Sequence, residues 1–531
     1  MAILLASLAI ATITLPQAVQ SNPIRTQDAD LITALRQFDQ YVEASYPKWK
    51  TPGLAIAIIR DGQVIFEKGY GVKRSGTTDR VDADTVFQIG SISKSFTSTL
   101  IGTLVDAEEL TFEDTVIDTL PAFRMYDPWV TRQFQVRDLM SQRSGMAPYS
   151  SDLMAMIGFG RNDIIDKIQY IKPITSFRST FGYVNNLWLV AADLFEVLAE
   201  ASWEKGIADR IFTPLNMKRS STGSAGLYND GNSAMPHVLI GDQILPLERD
   251  NLMSEWVYVY GPAGGINSTV GDMARYLAMH QAKGKLGEYR LLTPTTAETL
   301  HAPEVPLGVP KQGANVSLSV ATIGMGNYCL GWIRQEAPSG PVVWHNGGTS
   351  GMKAVAGFQP TGRNGIVVLS NLGSTDLPEA LMFRWLDVAT GKVPVDYSAK
   401  FLESHEQRTA AMRDAAPKRP EAPLPHRALE AYAGLFEHPV YGELRVATFE
   451  NRLDVYIGPK LIPGYLEPWD GDRFRVVLPP ELTDGIPVLI NFAANPDGKI
   501  VGAQFEGMLD DIPDTFYKRI PITKPLDPPQ P

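Results

Sequence analysis

Runs of β-forming residues at both ends of the chain, with helical sequence between them, constrain the fold most strongly. Near the N-terminus, residues 54–59 and 63–69 are apolar runs joined by Asp61-Gly62, a pair typical of a hairpin turn. Further apolar runs predict strands at 329–334, 342–345, 353–359 and 365–371. Strands at both ends with helices between them predict an α+β domain, with one sheet built from the two ends of the chain.

A second, smaller unit follows this domain, since 531 residues are too many for one simple core. Prolines at 417, 420, 423 and 425 predict a stiff linker. Short β-like runs then occur at 441–448, 452–457, 473–478, 488–492 and 500–506. We therefore predict a main domain at 30–398, a helix with the Pro-rich linker at 399–425, and a small β-barrel or sandwich at 426–520.

Charge and cysteine content exclude several classes of partner and site. A net charge of −11 argues against binding to nucleic acid or to an anionic membrane surface. The single cysteine, Cys329, excludes an internal disulfide and a zinc site of the cysteine-cluster type. No metal or other cofactor is predicted.

The first 15 residues are almost all apolar or small and are followed by Pro16. They are similar to the apolar part of a signal peptide, which we place at residues 1–21, and they predict a periplasmic or secreted protein. The usual basic residues are missing, since the first is Arg25. A hydrophobic N-terminal helix is the alternative.

The segment from Phe87 to Lys94 contains the first candidate for chemistry, Ser91-x-x-Lys94. Apolar residues recur at helical spacing after Gly90, so a buried helix is predicted to begin near Ser91. Positions i and i+3 share a helix face, which places the Ser91 hydroxyl beside the Lys94 amine. A buried lysine can lose its charge and accept the serine proton, although a simple N-cap serine is the alternative.

The same Ser-x-x-Lys spacing occurs at Ser45, Ser202 and Ser350. Pro47 interrupts the first of these, the second lies late in a helix near Gly206, and the third follows a glycine-rich run. Only Ser91 begins a long apolar helix after a glycine, so we favour Ser91 as the nucleophile.

A second candidate segment is Tyr183-Val184-Asn185, which precedes a predicted helix. A tyrosinate can act as general base if a nearby cation lowers its pKa, and a phenol can pass a proton to a leaving group. Asn185 offers both a donor and an acceptor to a substrate amide. The alternative is a buried tyrosine followed by an asparagine helix cap.

The third segment is the glycine-rich strand end His345-Asn346-Gly347-Gly348. Glycines at a strand end let a substrate backbone come close. The N–H groups of Ser91 and Gly348 could form an oxyanion hole, and His345 could bind a carboxylate or relay protons. The alternative is a turn with an exposed histidine.

These three segments, in this order, resemble the serine β-lactamase and penicillin-binding-protein superfamily. The resemblance is to the branch with class C β-lactamases, D-Ala-D-Ala carboxypeptidases, D-aminopeptidases and related esterases. Four further matches are Leu139-Met140-Ser141-Gln142-Arg143-Ser144-Gly145-Met146, Pro214-Leu215-Asn216-Met217, Ala263-Gly264-Gly265 before Asp272, and Leu330-Gly331-Trp332. The resemblance covers about residues 35–390.

The resemblance implies a β-lactamase/transpeptidase-like domain, with helices on both faces of an antiparallel sheet and an all-helical subregion. It also implies that the C-terminal unit is similar to the small lipocalin-like domains of related hydrolases.

The roles implied by the resemblance can be assigned residue by residue. Ser91 would be the acylated nucleophile, Lys94 its base and Tyr183 the proton shuttle. Asn185, His345, Gly347 and Gly348 would bind substrate, with the Ser91 and Gly348 N–H groups holding the oxyanion. Class C β-lactamases have lysine at the position of His345, so this departure argues against efficient β-lactam hydrolysis.

The predicted function is therefore a serine hydrolase that acts through an acyl-enzyme. Its expected substrates are small peptides, including peptides with D-residues. A carboxylesterase with the same Ser-Lys-Tyr site is one alternative. A catalytically silent protein that binds peptides or peptidoglycan is another.

Overall fold

The computed structural model describes residues 26–251, 253–308, 326–478, 487–506 and 516–520. The proposed signal peptide at 1–21 lies outside these residues. Within them, a mixed domain of strands and helices is followed by a β-barrel, which confirms the α+β prediction and resolves the choice between barrel and sandwich.

The described residues of the main domain form fourteen strands, numbered here in chain order. They are β1 (Gly53–Arg60), β2 (Gln63–Gly71), β3 (Phe87–Gln88), β4 (His237–Ile240), β5 (Gln243–Pro246), β6 (Asn267–Ser268), β7 (Lys285–Leu286), β8 (Tyr289–Arg290), β9 (Val305–Pro306), β10 (Gly326–Tyr328), β11 (Ile333–Ala337), β12 (Gly340–Gly348), β13 (Lys353–Phe358) and β14 (Asn364–Ser370). The central sheet has eight strands in the order β2-β1-β14-β13-β12-β11-β10-β9. Each neighbouring pair is antiparallel.

The sheet joins the two ends of the domain, because β1 pairs with β14 from Leu54↔Ser370 to Arg60↔Asn364. Every residue of β14 is buried, and so is every residue of β1 except Arg60. A strand buried on both sides reads as a continuous apolar run, which explains why residues 54–59 do not alternate with polar ones.

Helices cover the sheet and fill the long middle of the chain. They are α1 (Thr26–Ser45), α2 (Ser93–Asp106), α3 (Val116–Thr119), α4 (Pro128–Gln133), α5 (Val136–Met140), α6 (Asp152–Ile157), α7 (Arg161–Lys167), α8 (Asn186–Ala199), α9 (Trp203–Ile207), α10 (Ala225–Tyr228), α11 (Trp256–Val259), α12 (Gly261–Gly264), α13 (Val270–Gln281), α14 (Pro294–Leu300), α15 (Leu377–Ala389) and α16 (Tyr397–Ala415). Both α13 and α15 pack on β14, while α2 packs against α8, α12 and α14. The apolar helix after Ser91 is thus the centre of the helical region.

The strand predicted at 329–334 is wrong for residues 329–332, where the chain turns, while residues 333 and 334 do lie in a strand. β10 ends at Tyr328 and β11 begins at Ile333, with Gly331 at a φ of +78° in the turn between them. A Cβ on Gly331 would lie 2.9 Å from the Lys94 carbonyl oxygen. The turn therefore packs directly on the backbone of α2, and only glycine fits at this position.

The described residues of the C-terminal unit form a closed barrel of eight strands. They are β15 (Gly434–His438), β16 (Gly442–Phe449), β17 (Arg452–Ile457), β18 (Ile462–Asp470), β19 (Arg473–Val477), β20 (Val488–Ala494), β21 (Ile500–Glu506) and β22 (Phe516–Ile520). Sequence patterns predict five of them and miss β15, β18 and β22. β18 contains two prolines, Pro463 and Pro468, which argue against a strand when only the sequence is considered. Its pairing with β19 has a register irregularity after Pro468.

The barrel contacts the main domain at the end of α6. The Lys460 N–H donates to the carbonyl of Ile157 at 3.1 Å, and Lys167 Nζ donates to the Pro439 carbonyl at 2.8 Å. A Cβ on Gly458 would lie 2.7 Å from the Ile157 carbonyl oxygen. The two backbones therefore touch, and α6 lies between the barrel and the helical region.

Helix α16, predicted as part of the linker region, packs against α15. Trp49 Nε1 donates to Ser398 Oγ at 3.0 Å, which fastens the start of α16 to the main domain.

Candidate active site

Ser91 lies in a short 3-10 turn, Gly90–Ile92, that leads into α2. Gly90 has a φ of +52°, and a Cβ there would lie 2.7 Å from the Gly348 nitrogen. Both the left-handed backbone and the close approach require glycine. Gly90 thus lets the chain turn sharply and brings Ser91 against the end of β12.

Lys94 follows one turn later, with its side chain fully buried. Its Nζ lies 3.1 Å from Ser91 Oγ, 2.6 Å from Asn185 Oδ1 and 2.9 Å from the Ala263 carbonyl oxygen. Burial lowers the Lys94 pKa to about 7, partly offset by the negative charge of Asp152. A lysine with this pKa can carry or release a proton near neutral pH.

Tyr183 packs beside both residues. Its hydroxyl is hydrogen-bonded to Ser91, and Lys94 Nζ lies 4.8 Å from the centre of its ring. Burial nevertheless raises the Tyr183 pKa well above its usual value, with neighbouring tyrosines adding to the effect. The lowered pKa that a tyrosinate base requires is therefore not found, because burial of the Tyr183 hydroxyl disfavours its charged form. Tyr183 is a phenol that can donate its proton.

The backbone around Tyr183 is held by Gln142, from the predicted segment 139–146. The Gln142 side chain accepts from Val184 N at 2.7 Å and donates to the Val184 carbonyl at 3.0 Å. The Tyr149 N–H donates to the Tyr183 carbonyl at 2.7 Å. These hydrogen bonds from Gln142 and Tyr149 hold the backbone of Tyr183 and Val184 in place.

Asn185 precedes α8 and links Lys94 to an acidic residue. Its Oδ1 accepts from Lys94, and its Nδ2 donates to Asp152 Oδ2 at 2.7 Å. Its side chain makes no helix-capping bond. It therefore faces the Ser91 site rather than serving as the simple helix cap that the sequence also allowed.

The glycine-rich end of β12 lies against the nucleophile turn. β11 pairs with β12 only as far as Ile333↔Trp344, which leaves the later residues of β12 without β11 on that side. A Cβ on Gly347 would lie 2.8 Å from the Ser91 nitrogen. Gly348 is exposed, with open space where a side chain would point. The Ser91 and Gly348 backbones thus lie close together, as an oxyanion hole requires.

His345 is buried rather than exposed. Its Nδ1 bonds to the Asn346 carbonyl, and its Nε2 lies 3.1 Å from the Tyr328 hydroxyl. A carbonyl only accepts, so Nδ1 carries the proton and Nε2 accepts from Tyr328. Burial, with Lys94 adding to it, lowers the His345 pKa to about 3, which keeps the ring neutral. Its ring centre lies 6.4 Å from that of Tyr183.

The other three Ser-x-x-Lys pairs serve structural roles. Ser45 is the last residue of α1, and Ser202 caps α9 by accepting from Lys205 N. Ser350 accepts from Trp256 Nε1 at 2.8 Å, and Lys353 pairs with Glu379 at 3.1 Å.

Sequence patterns do not identify three groups that touch the site: Asp152, Tyr328 and the Ala263 carbonyl. Ala263 lies in a predicted motif, but no signal indicated its contact with Lys94. Asp152 and Tyr328 lie outside every motif.

Comparison with known proteins identifies the family. The model of the β-lactamase family matches residues 34–389. The chain belongs to the β-lactamase family. Residues 418–521, the linker and barrel, match a domain of unknown function, DUF3471.

Proteins similar to this chain include a hydrolase and a penicillin-binding protein. Unguisins hydrolase ungD' of Aspergillus campestris (strain IBT 28561) is 24% identical over 461 residues, covering 80% of each chain. Penicillin-binding protein 4 of Amycolatopsis lactamdurans is 28% identical over 303 residues, covering 56% of this chain and 75% of the relative. The protein is a serine hydrolase related to β-lactamases and penicillin-binding proteins.

Two solved structures have a similar fold. The octameric penicillin-binding protein homologue from Pyrococcus abyssi aligns with a TM-score of 0.59 and 19% identity, over 89% of this chain and 98% of its own. SurE aligns with a TM-score of 0.54 and 18% identity, over 93% of this chain and 100% of its own. At these identities the likeness concerns the fold alone.

The described ranges contain no group of three or more His, Cys, Asp or Glu side chains arranged to hold a metal ion. In the same ranges, no helix has both the length and the apolar character needed to cross a bilayer.

Proposed function

We propose that this hydrolase cleaves an amide bond of small peptides, including peptides with D-residues, through a Ser91 acyl-enzyme. One observation carries the proposal. Lys94 is fully buried, with Nζ 3.1 Å from Ser91 Oγ and a pKa of about 7. A neutral amine at this position can remove the serine proton, which a hydroxyl needs in order to attack.

In the proposed acylation step, Ser91 Oγ attacks the substrate carbonyl while its proton passes to Lys94 Nζ. The Ser91 and Gly348 N–H groups receive the negative charge that develops on the carbonyl oxygen. The Tyr183 phenol donates its proton to the leaving nitrogen as the C–N bond breaks, and the Lys94 proton restores the phenol. An amine and a Ser91 ester result.

In the proposed deacylation step, water attacks the Ser91 ester with its proton passing through Tyr183 to Lys94. The ester C–O bond breaks, and the proton returns from Lys94 to Ser91 Oγ. Net hydrolysis leaves the three side chains as they began.

One observation favours an amide substrate over an ester. A leaving nitrogen must be protonated, and Tyr183 is a protonated phenol hydrogen-bonded to Ser91. Hydrolytic activity as such is supported by the similarity to the relative named unguisins hydrolase. The preference for D-residues rests on the resemblance to D-Ala-D-Ala carboxypeptidases and D-aminopeptidases.

A carboxylesterase is the second candidate, favoured by the neutral His345 ring. An uncharged ring near Tyr183 does not require a carboxylate on the substrate, so neutral esters would fit equally well. The intact Ser91, Lys94 and Tyr183 argue against a silent binding protein.

The test compares p-nitrophenyl esters with D- and L-aminoacyl p-nitroanilides on the same preparation. We expect the higher kcat/KM on D-aminoacyl anilides, and uniformly faster ester cleavage with no anilide turnover would favour the esterase instead. Labelling with a fluorophosphonate should modify Ser91 in the wild type and nothing in Ser91→Ala. A label on Ser45, Ser202 or Ser350 would contradict the assignment.

A further inference from the structure

A line of hydrogen bonds runs from the nucleophile to an acidic residue on another element. Ser91 Oγ lies 3.1 Å from Lys94 Nζ, Lys94 Nζ lies 2.6 Å from Asn185 Oδ1, and Asn185 Nδ2 lies 2.7 Å from Asp152 Oδ2. Asp152 is the first residue of α6, and no motif in the sequence marks it.

The chemistry at the two ends fixes the orientation of the amide between them. An ionised carboxylate only accepts hydrogen bonds, so Asp152 requires the NH₂ group of Asn185 on its side. The carbonyl oxygen of Asn185 must then face Lys94. With the amide reversed, its NH₂ would point at the lysine nitrogen, and an ammonium could not donate to it.

The segment that carries Asp152 is held at both of its ends. The Tyr260 hydroxyl donates to the Ser151 carbonyl at 2.7 Å, and Asn186 Nδ2 donates to Ser151 Oγ at 3.1 Å. At the far end of α6, the barrel residue Lys460 donates to the Ile157 carbonyl. The helix that carries Asp152 is therefore fixed by the helical region at its start and by the barrel at its end.

We propose that Asp152 is a positioning residue for catalysis, which orients the Asn185 amide and thereby holds Lys94 Nζ in line with Ser91 Oγ. This role rests on the proposed function of Ser91 and Lys94. Asp152 acts through Asn185 and need not touch the substrate.

Its charge has a second effect, on the lysine. The groups that face Lys94 are Ser91 on its own segment, Asn185, Tyr183, His345 on β12 and the Ala263 carbonyl. His345 and Tyr183 are neutral, so the carboxylate of Asp152 is the negative charge that favours the lysine ammonium. Removing that charge should make Lys94 easier to deprotonate.

The experiment measures the pH profile of kcat/KM for Asp152→Ala and Asp152→Asn, with rates divided by the active-site concentration from fluorophosphonate titration. We expect Asp152→Ala to lose about 100-fold, the scale of a misplaced catalytic group. The side chain in Asp152→Asn still has an oxygen that can accept a hydrogen bond from Asn185, so this variant should keep much of the wild-type kcat/KM. Because it lacks the negative charge, the rise of kcat/KM with pH (the acid limb of the profile) should move to lower pH.

Asp163→Asn is the matched control, since Asp163 is an exposed acid in the first turn of the neighbouring helix α7. It should keep the wild-type profile. Wild-type kcat/KM in Asp152→Ala would overturn the proposal. An equal loss in both Asp152 variants with an unmoved acid limb would also overturn it, since that pattern indicates a purely structural role. Full activity in Ser91→Ala would instead refute the proposed function.

Discussion

Gly347 packs so closely on Ile89 that a Cβ on the glycine would lie 1.8 Å from the Ile89 carbonyl oxygen. The contact joins the end of β12 to the turn before Ser91, and it sets the spacing between the two N–H groups proposed to bind the oxyanion. Any side chain at position 347 must push these segments apart.

We therefore expect Gly347→Ala to reduce kcat by about 100- to 1,000-fold, the cost of losing one oxyanion-hole donor. Gly231→Ala is the control, because a Cβ at Gly231 meets nothing within 4 Å. Steady-state kinetics of both variants test the idea. Near-wild-type kcat in Gly347→Ala would mean that β12 does not set the geometry of the nucleophile.

The Lys94 pKa of about 7 predicts a pH dependence with a definite sign. The proposed base is active when neutral, so kcat/KM should rise with pH through about 7 and level off above it. The profile should be measured with an uncharged substrate, so that only the enzyme titrates. A rate that is flat from pH 5 to 9 would exclude a titrating Lys94 as the base.

Tyr183→Phe removes one hydroxyl and keeps the ring that packs beside Tyr149 and Tyr328. Its effect should fall on catalysis, with a loss of about 100- to 10,000-fold for a positioned acid–base group. Since we assign the phenol to the leaving nitrogen, anilides should lose more than p-nitrophenyl esters, whose leaving group needs no proton. Acylation and deacylation rates should be measured separately, and unchanged rates would remove Tyr183 from the mechanism.

Sequence patterns predict the local parts of this molecule and the joining of its two ends in one sheet, but they miss the long-range contacts of Asp152 and Ala263. The helix after Gly90 and the hairpin at Asp61-Gly62 follow from residue spacing and turn chemistry, which neighbouring residues decide. The approach of Asp152 to Asn185 spans 33 positions, and that of Ala263 to Lys94 spans 169. Such contacts depend on the packing of several helices, which no local pattern encodes.

The role of His345 is another feature that the sequence does not decide, since its context allows it either to bind a substrate carboxylate or to relay protons. Its ring is buried, neutral and bonded to Tyr328. We expect His345→Ala to lower kcat/KM by the same factor on a substrate with a free carboxylate and on its neutral ester. Tyr328→Phe should act in the same direction. A loss confined to the carboxylate substrate would assign His345 to carboxylate binding instead.

The barrel contact with α6 can be tested at Gly458, where φ is +68° and a Cβ would lie 2.7 Å from both the Ile157 side chain and its carbonyl oxygen. Gly471 is a matched barrel glycine, with a φ of +57° and its nearest Cβ neighbour at 3.7 Å. Both alanine variants carry the left-handed strain of about 1–2 kcal/mol.

Only Gly458→Ala also forces the backbones of the barrel and α6 apart, which should lower the free energy of unfolding by roughly a further 1–3 kcal/mol. We expect a lower Tm for Gly458→Ala than for Gly471→Ala and faster proteolysis within the linker at 417–425. Because α6 carries Asp152, kcat/KM should fall in Gly458→Ala and remain near wild type in Gly471→Ala. Equal Tm values and equal rates in the two variants would show that the barrel does not support α6.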